Sequence, residues 1–165
     1  MRYEEGGFTL IELLIVVAII GIIAAIAIPN MILAIDRARQ KRSMGETRSV
    51  ATALHEYGTD TNQFPPGSGG FAAVDPAIGV PGLIPDYVKS IPTQDPWGFQ
   101  YEYAADDKGT DFAYRGKGRG GQPDSPAFPA ILSSTISRTT CFECDIVWVD
   151  SALLFFPDGK QKSCQ

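Results

Sequence analysis

An uninterrupted apolar run is the strongest pattern in this chain. It extends from Phe8 to Ile28, and Glu12 is the only charged residue within it. As a helix the run would measure about 31 Å at about 1.5 Å per residue, which matches the hydrocarbon thickness of a bilayer. A carboxylate inside lipid costs roughly 2.5–3.5 kcal/mol, so such a residue is a functional candidate. The pattern predicts one membrane-spanning helix with a functional carboxylate near its start.

A more polar helical segment follows Pro29. Because Pro29 has no backbone donor, it should kink or loosen the helix. Residues 30–57 are rich in Ala, Arg, Lys, Glu and Leu, which favour a helix. Val50, Leu54 and Tyr57 recur at helical spacing and should face a globular head. We therefore predict one long helix that ends near Tyr57, where the sequence Gly-Thr-Asp follows.

The remaining residues, 58–165, are enough for one small domain. Residues 58–98 are dense in proline and glycine, which predicts an ordered loop with short turns. Aromatic and polar residues then alternate over 99–103, as in a half-buried strand. Further strands are predicted at 112–115, 145–150 and 152–156, with turns at 106–109 and 157–160. The expected fold class is α+β, with a long helix packed on a small antiparallel sheet formed within residues 99–165.

The residues at the start of the apolar run carry a family resemblance. Gly6-Gly7-Phe8-Thr9-Leu10-Ile11-Glu12 and the span behind it resemble the class III signal of type IV pilins and type II secretion pseudopilins. The resemblance implies that residues 1–7 form a leader, which a prepilin peptidase removes after Gly7. It also implies N-methylation of Phe8. Residues 8–29 would then be the transmembrane and assembly helix, and residues 30–57 its amphipathic continuation.

The same resemblance implies assembly roles for Glu12, Phe8 and Pro29. Subunits of this kind pack through their helices into a homo-oligomeric helical filament. The carboxylate of Glu12 in one subunit would neutralise the amine of Phe8 in a neighbour, and pairing avoids the cost of two separate buried charges. The implied partners are the prepilin peptidase, an assembly ATPase and a membrane platform protein.

The expected location is the bacterial inner membrane, with a single span, a periplasmic head and a filament that is periplasmic or extracellular. The charges near the span oppose this orientation, because Arg2 is outnumbered by Glu4 and Glu5 whereas residues 36–48 are net positive. The cleavage signature and the cysteines favour the periplasmic head. An ordinary secretory signal is excluded, because its apolar core would be shorter and its cleavage site would follow that core.

A second resemblance lies in the head. Asp95-Pro96-Trp97-Gly98 before an aromatic strand resembles the major type II secretion pseudopilin. In that family a calcium-binding loop occupies the position of residues 112–121. Calcium requires about 6–8 oxygen ligands, whereas this loop carries Arg115, Lys117 and Arg119. We expect no cofactor, and Asp124 is the best single candidate for a metal ligand if calcium does bind.

Three cysteines are present: Cys141, Cys144 and Cys164. Disulfides persist outside the cytoplasm, so we expect Cys164 to pair with either Cys141 or Cys144. Closing a loop of about 20 residues should contribute roughly 3 kcal/mol. The Cys-x-x-Cys spacing also leaves open a redox pair or half of a metal site.

Other classes of function have little support in the sequence. Residues 1–57 hold equal numbers of acidic and basic side chains, so the full net charge of −5 falls on residues 58–165 and argues against nucleic-acid binding. His55 is the single histidine and no nucleophile–base motif accompanies it, so no enzyme is predicted. The glycines of residues 116–121 fit G-x-G-x-x-G, but no helix start follows them, as a dinucleotide site requires.

Three hypotheses about function remain. The first is a pseudopilin of type II protein secretion, which the head motif favours. The second is a surface type IV pilus subunit for adhesion, twitching motility or DNA uptake, which the extended tail and the cysteines favour. The third is a membrane-anchored periplasmic binding domain that does not polymerise.

Overall fold

The computed structural model describes residues 7–75 and 80–164 of this chain. Most of the expected leader, residues 1–6, and part of the proline-rich loop, residues 76–79, lie outside the described residues. The elements in chain order are α1 (Leu10–Thr61), β1 (Ala72–Ala73), β2 (Glu102–Ala105), β3 (Phe112–Gly116), a short 3₁₀ helix (Ala130–Ser133), β4 (Ser137–Cys141), β5 (Ile146–Val149) and β6 (Ala152–Lys162). The α+β class predicted from the sequence is confirmed.

The chain divides into two compact units, one up to Asp36 and one from Arg37 onward. In the first unit, α1 is long and apolar enough to cross a membrane. Its large apolar side chains are exposed throughout, including Leu10, Leu14 and Ile26. The helix contains Pro29 without a break. This unit therefore presents an apolar surface that needs lipid or other helices to cover it.

The carboxyl-terminal end of α1 differs from the prediction. The helix continues past Tyr57 to Thr61, and Asn62 with a φ of 58° follows it. Gly58 lies inside the helix and packs against the ring of Phe64, where an added β-carbon would lie 2.9 Å from Phe64 Cε1. The Thr61 hydroxyl donates to the Tyr57 carbonyl oxygen at 2.8 Å. Glycine is used here for close packing, and the left-handed residue after Thr61 terminates the helix.

The head contains a six-stranded sheet with the order β1-β2-β3-β5-β6-β4. The pairs β1–β2, β2–β3, β3–β5 and β5–β6 are antiparallel, but β1 lies within residues 58–98, which were predicted to form a loop outside the sheet. The edge pair β4–β6 is parallel, so the sheet is mixed and the prediction of a purely antiparallel sheet is wrong. The predicted turn between β2 and β3 is present, with the Gly109 amide donating to the Asp106 carbonyl at 3.1 Å.

Two features of the tail were not predicted. Strand β6 continues to Lys162 through the expected turn at residues 157–160. Gly159, with a φ of 72°, takes up a local irregularity there instead of reversing the chain. Strand β4 pairs with β6. Its five residues alternate between half-buried and exposed positions, so no run of buried apolar residues marks it in the sequence. Edge strands of this kind carry a weak hydrophobic pattern.

Both faces of the sheet are covered. On one face, α1 packs its residues Val50, Ala51 and Leu54 against Tyr101 and Phe112. On the other face, the 3₁₀ helix and Phe128 cover a second core. The residues of this second core are Ala104, Ala113, Phe128, Ile131, Val147, Val149 and Leu154. The helix face predicted to meet the head is thus confirmed, since Val50 and Leu54 are buried and Tyr57 packs on the same cluster.

Candidate functional site

Thr9 and Glu12 form reciprocal hydrogen bonds at the start of α1. Thr9 donates to Glu12 Oε2 from its backbone nitrogen at 2.9 Å and from its hydroxyl at 2.7 Å. The Glu12 backbone nitrogen donates in turn to Thr9 Oγ1 at 3.4 Å. This arrangement is a capping box. The capping box was not predicted, although Thr-x-x-Glu before an apolar run is its known signature.

The capping box gives Glu12 a local role besides the one that the resemblance implies. Its carboxylate is satisfied by Thr9 within the subunit, although it remains exposed. Phe8 is 81% exposed, and a β-carbon added to Gly7 would meet no atom within 4 Å. Gly7 and Phe8 are therefore not covered by the described part of the chain. Pro29, the third residue with an implied assembly role, lies within the exposed part of α1.

Asp95-Pro96-Trp97-Gly98 forms a closed turn at the entrance to the sheet. Asp95 Oδ1 accepts hydrogen bonds from the backbone nitrogens of Trp97 at 3.0 Å and Phe99 at 2.9 Å. Gly98 has a φ of 93°, which a side chain would strain. Burial raises the pKa of the Asp95 carboxyl, while its backbone hydrogen bonds act in the opposite direction. The motif shapes the head, and no substrate group is needed to explain it.

A second polar contact joins α1 to the sheet within the head. The buried Tyr101 hydroxyl donates to Glu46 Oε2 at 2.8 Å and lies 3.1 Å from Ser43 Oγ. Burial raises the pKa of Tyr101, so the hydroxyl stays protonated.

His55 has a packing role, as expected for a lone histidine. Its ring lies between Phe64 and Phe112, and its Nε2 is 2.7 Å from the Asp150 carbonyl oxygen.

The loop after β3 is held by an internal network of ion pairs. The Arg115 guanidinium binds the Glu102 carboxylate and stacks 3.8 Å from the centroid of the Phe71 ring. Its Nη1 is 3.9 Å from Asp145 Oδ2, and both side chains are almost completely buried. Lys117 Nζ lies 2.7 Å from Glu102 Oε1. Burial opposes the charged form of Glu102, yet hydrogen bonds and charge from Lys117 and Arg115 leave its pKa below the ordinary value.

Asp124, the candidate metal ligand, is part of the same network. Its Oδ1 accepts a hydrogen bond from the Asp145 backbone nitrogen at 2.9 Å. Asp145 Oδ2 accepts from the Ser125 backbone nitrogen at 2.9 Å and from the Ser125 hydroxyl at 2.5 Å. Burial raises the pKa of Asp145, and its hydrogen bonds from Ser125 offset part of that effect. Calcium needs several free oxygen ligands. Arg115 Nη1 lies 3.9 Å from Asp145 Oδ2, and that oxygen and Asp124 Oδ1 already accept hydrogen bonds, so the described residues of this network do not offer the set of free oxygens that calcium needs.

The cysteines resolve one of the two pairings left open. Cys141 and Cys164 form a disulfide with a Cα–Cα distance of 5.5 Å, and Cys144 is free. The sulfur atoms of Cys141 and Cys164 and a carboxylate oxygen of Glu143 lie within 4.8 Å of one another. A metal would require free thiolates, which the disulfide does not provide. Burial raises the pKa of Cys144 to about 11, so this thiol is protonated and unreactive at neutral pH.

Loss of the disulfide should destabilise the head. The bond closes a sequence separation of 23 residues, and Cys164→Ser should lower the free energy of unfolding by about 3 kcal/mol. Cys144→Ser is the matched control and should cost less than about 1 kcal/mol. Denaturant unfolding of the full chain in detergent, followed by tryptophan fluorescence, measures both. Equal stability of Cys164→Ser and the unaltered chain would contradict a structural role for this bond.

A long apolar helix followed in the chain by a small α+β head defines the pilin class of architecture. Comparison with known families agrees with this class. Residues 3–28 match the prokaryotic N-terminal methylation motif, and residues 30–135 match protein G of the type II secretion system. The second match covers more than half of the chain. The chain therefore belongs to the protein G family of the type II secretion system, whose members are structural pseudopilins and not enzymes.

Curated relatives carry the same name. The type II secretion system core protein G of Pseudomonas aeruginosa is 34% identical over 112 residues, which are 63% of this chain and 76% of the relative. The corresponding protein of Vibrio cholerae is 33% identical over 112 residues, or 65% of this chain and 76% of the relative. That of Dickeya chrysanthemi is 25% identical over 133 residues, or 76% and 84%. No solved structure matches this chain. The family indicates no cofactor.

Proposed function

We propose that this chain is a subunit of a type II secretion filament, cut after Gly7, N-methylated at Phe8 and polymerised through the helix of residues 8–29. The observation that carries the proposal is the order of the two family matches, since the methylation motif over 3–28 is followed at once by protein G over 30–135. Residues 1–7 are then the leader, residues 30–57 the amphipathic continuation of the helix, and residues 58–165 the head.

The physical basis of polymerisation is the uncovered apolar surface of α1. Its side chains are exposed in the single subunit, so burial among neighbouring helices replaces their contact with lipid. Apolar packing is not directional, and pairing of Glu12 with the Phe8 amine of a neighbour supplies axial register. A prepilin peptidase, an assembly ATPase and a platform protein of the inner membrane are the proposed partners.

The proposed location is the inner membrane with the head in the periplasm. A single apolar span and the disulfide between Cys141 and Cys164 support it, because disulfides persist in oxidising compartments. A surface pilus subunit and a non-polymerising anchored domain are the alternatives. The comparisons name a secretion system and give no support to either alternative.

Cell fractionation and a secretion assay test the proposal. Deletion of the gene should leave the secreted proteins in the periplasm, and the processed chain should be found in the cell envelope. A pilus subunit would instead be abundant in fibres sheared from the cell surface, with secretion unaffected by the deletion. That second pattern would overturn the assignment to secretion.

Processing should depend on Gly7 and not on Gly6. Gly7→Val should leave the full-length precursor, because a branched side chain at the scissile position prevents the close backbone approach that glycine permits. Gly6→Val makes the same change one residue earlier and should be processed. Intact mass of the membrane fraction distinguishes the two forms. Normal cleavage of the Gly7→Val chain would exclude this bond as the cut site.

A further inference from the structure

A cationic groove of about 640 Å³ lies between α1 and the end of β6 within the second unit. Arg37 and Lys41 line it from one turn of α1, and Lys160 lines it from β6. None of the described residues that line it carries a carboxylate. The three cations form no ion pair within the described part of the chain. The groove therefore concentrates positive charge in a head that is otherwise acidic.

The floor of the groove is fixed by buried amide side chains. Gln40 and Gln161 are both buried, and Gln40 Nε2 donates to Gln161 Oε1 and to the Cys141 carbonyl oxygen, each at 3.3 Å. Gln161 Nε2 donates to the Thr139 carbonyl oxygen at 3.0 Å. The residue before Gln161 is Lys160, so these bonds hold its backbone against the helix. The site is built before any ligand arrives, which lowers the entropic cost of binding.

Asp158, two residues before Lys160, does not neutralise the positive charge of the groove. Asp158 lies on the same strand as Lys160, but its Oδ2 is 3.2 Å from Arg138 Nη1. Lys160 and the helix cations are left to face solvent. An incoming anion would therefore meet three positive charges without a competing carboxylate in the lining, and the local potential favours a group of high negative charge density.

The sequence beside the groove indicates where such an anion would come from. Residues 31–35 are apolar and largely exposed. Arg37 follows them after the buried Asp36. Cations that directly follow a membrane span meet the lipid headgroups, and each contributes about 1 kcal/mol of attraction to anionic lipid. Met44 and Pro157 also line the groove and provide an apolar wall.

We propose that this groove binds the phosphate headgroup of an anionic phospholipid. This proposal rests only on insertion of the span in the membrane and does not depend on cleavage or filament assembly. The match to protein G ends at residue 135, so Lys160 and its strand belong to the part of the chain that this match does not cover. Binding would hold the carboxyl-terminal strand at the membrane before the subunit enters a filament.

Native mass spectrometry of the full, uncleaved chain tests this proposal. The chain is purified in detergent micelles that contain equal amounts of phosphatidylglycerol and phosphatidylcholine, and the retained lipids are counted. We expect a preference for phosphatidylglycerol, and Lys160→Glu should reduce that preference by more than about fivefold, the factor expected from the loss of one cation. Lys108→Glu is the matched control, because Lys108 is an exposed cation that does not line this groove. It should retain the preference.

Four results would overturn the proposal. The first is equal retention of the two lipids by the unaltered chain. The second is an equal effect of the two charge reversals, which would indicate nonspecific attraction. The third is full displacement of phosphatidylglycerol by millimolar inorganic phosphate, which would assign the groove to a soluble anion. The fourth is a dimer that forms in place of the lipid adduct and is lost in Lys160→Glu, which would assign the groove to the acidic surface of a second copy.

Discussion

Glu12→Ala should leave the subunit in the membrane and abolish filament assembly. Without the carboxylate, the amine of Phe8 in a neighbouring subunit would be buried without a partner. Leaving one charge of a buried pair uncompensated costs about 3–5 kcal/mol, and the loss recurs at every subunit contact. Insertion should persist because removal of a charge makes the span more apolar. Pelleting of filaments beside quantification of the membrane fraction measures both effects.

The capping box supplies controls that separate two roles of Glu12. Glu12→Gln retains a side chain that can close the box with Thr9 but removes the charge, so it should fail to assemble. Thr9→Val removes the hydrogen bond from the hydroxyl to the carboxylate, retains the one from the backbone nitrogen and keeps the charge, so it should assemble. Assembly of Glu12→Gln at the normal level would show that the residue is needed for the helix start and not for charge pairing.

Arg115→Met should destabilise the head by about 3–5 kcal/mol, because it leaves the buried carboxylate of Asp145 without its cation and Glu102 with Lys117 alone. Arg115 is 6% exposed and Asp145 has no exposed side-chain surface, so water cannot replace the guanidinium without local unfolding. The stacking of Arg115 on Phe71 would be lost as well. Denaturant unfolding of the full chain in detergent measures the change.

Arg138→Met is the matched control for this prediction. Arg138 pairs with Asp158 at 3.2 Å but is 70% exposed, so its loss should cost less than about 1 kcal/mol. Asp145→Asn in the Arg115→Met background should recover part of the lost stability, since the uncompensated buried charge is then removed, whereas Glu102 keeps its pair with Lys117. Equal stability of the two arginine variants would refute the structural role of the buried network.

The elements that could be predicted from the sequence are those with a strong local signal. The apolar run identifies the span, and the spacing of Val50 and Leu54 identifies the helix face that packs on the head. The turn at residues 95–98 follows from its own proline and glycine. A disulfide to Cys164 was expected as well, although the choice between Cys141 and Cys144 required the three-dimensional structure.

The elements that were missed depend on contacts between distant residues. From the sequence alone, Gly58 predicts a helix stop, but the ring of Phe64 packs on it and the helix continues. Strand β4 is defined by its parallel pairing with β6 and not by its own pattern. From the sequence alone, the cations of residues 112–121 are expected only to disfavour calcium binding. Arg115 is in fact a structural residue, because the fold brings Glu102 and Asp145 to its guanidinium.

The most direct test of processing is the intact mass and amino-terminal sequence of the chain from cells with and without the prepilin peptidase. We expect a mature chain that begins at N-methylated Phe8 when the peptidase is present, and the full precursor when it is absent. A chain that still begins at Met1 in the presence of the peptidase would contradict the proposal, and the apolar run would then be a permanent membrane anchor.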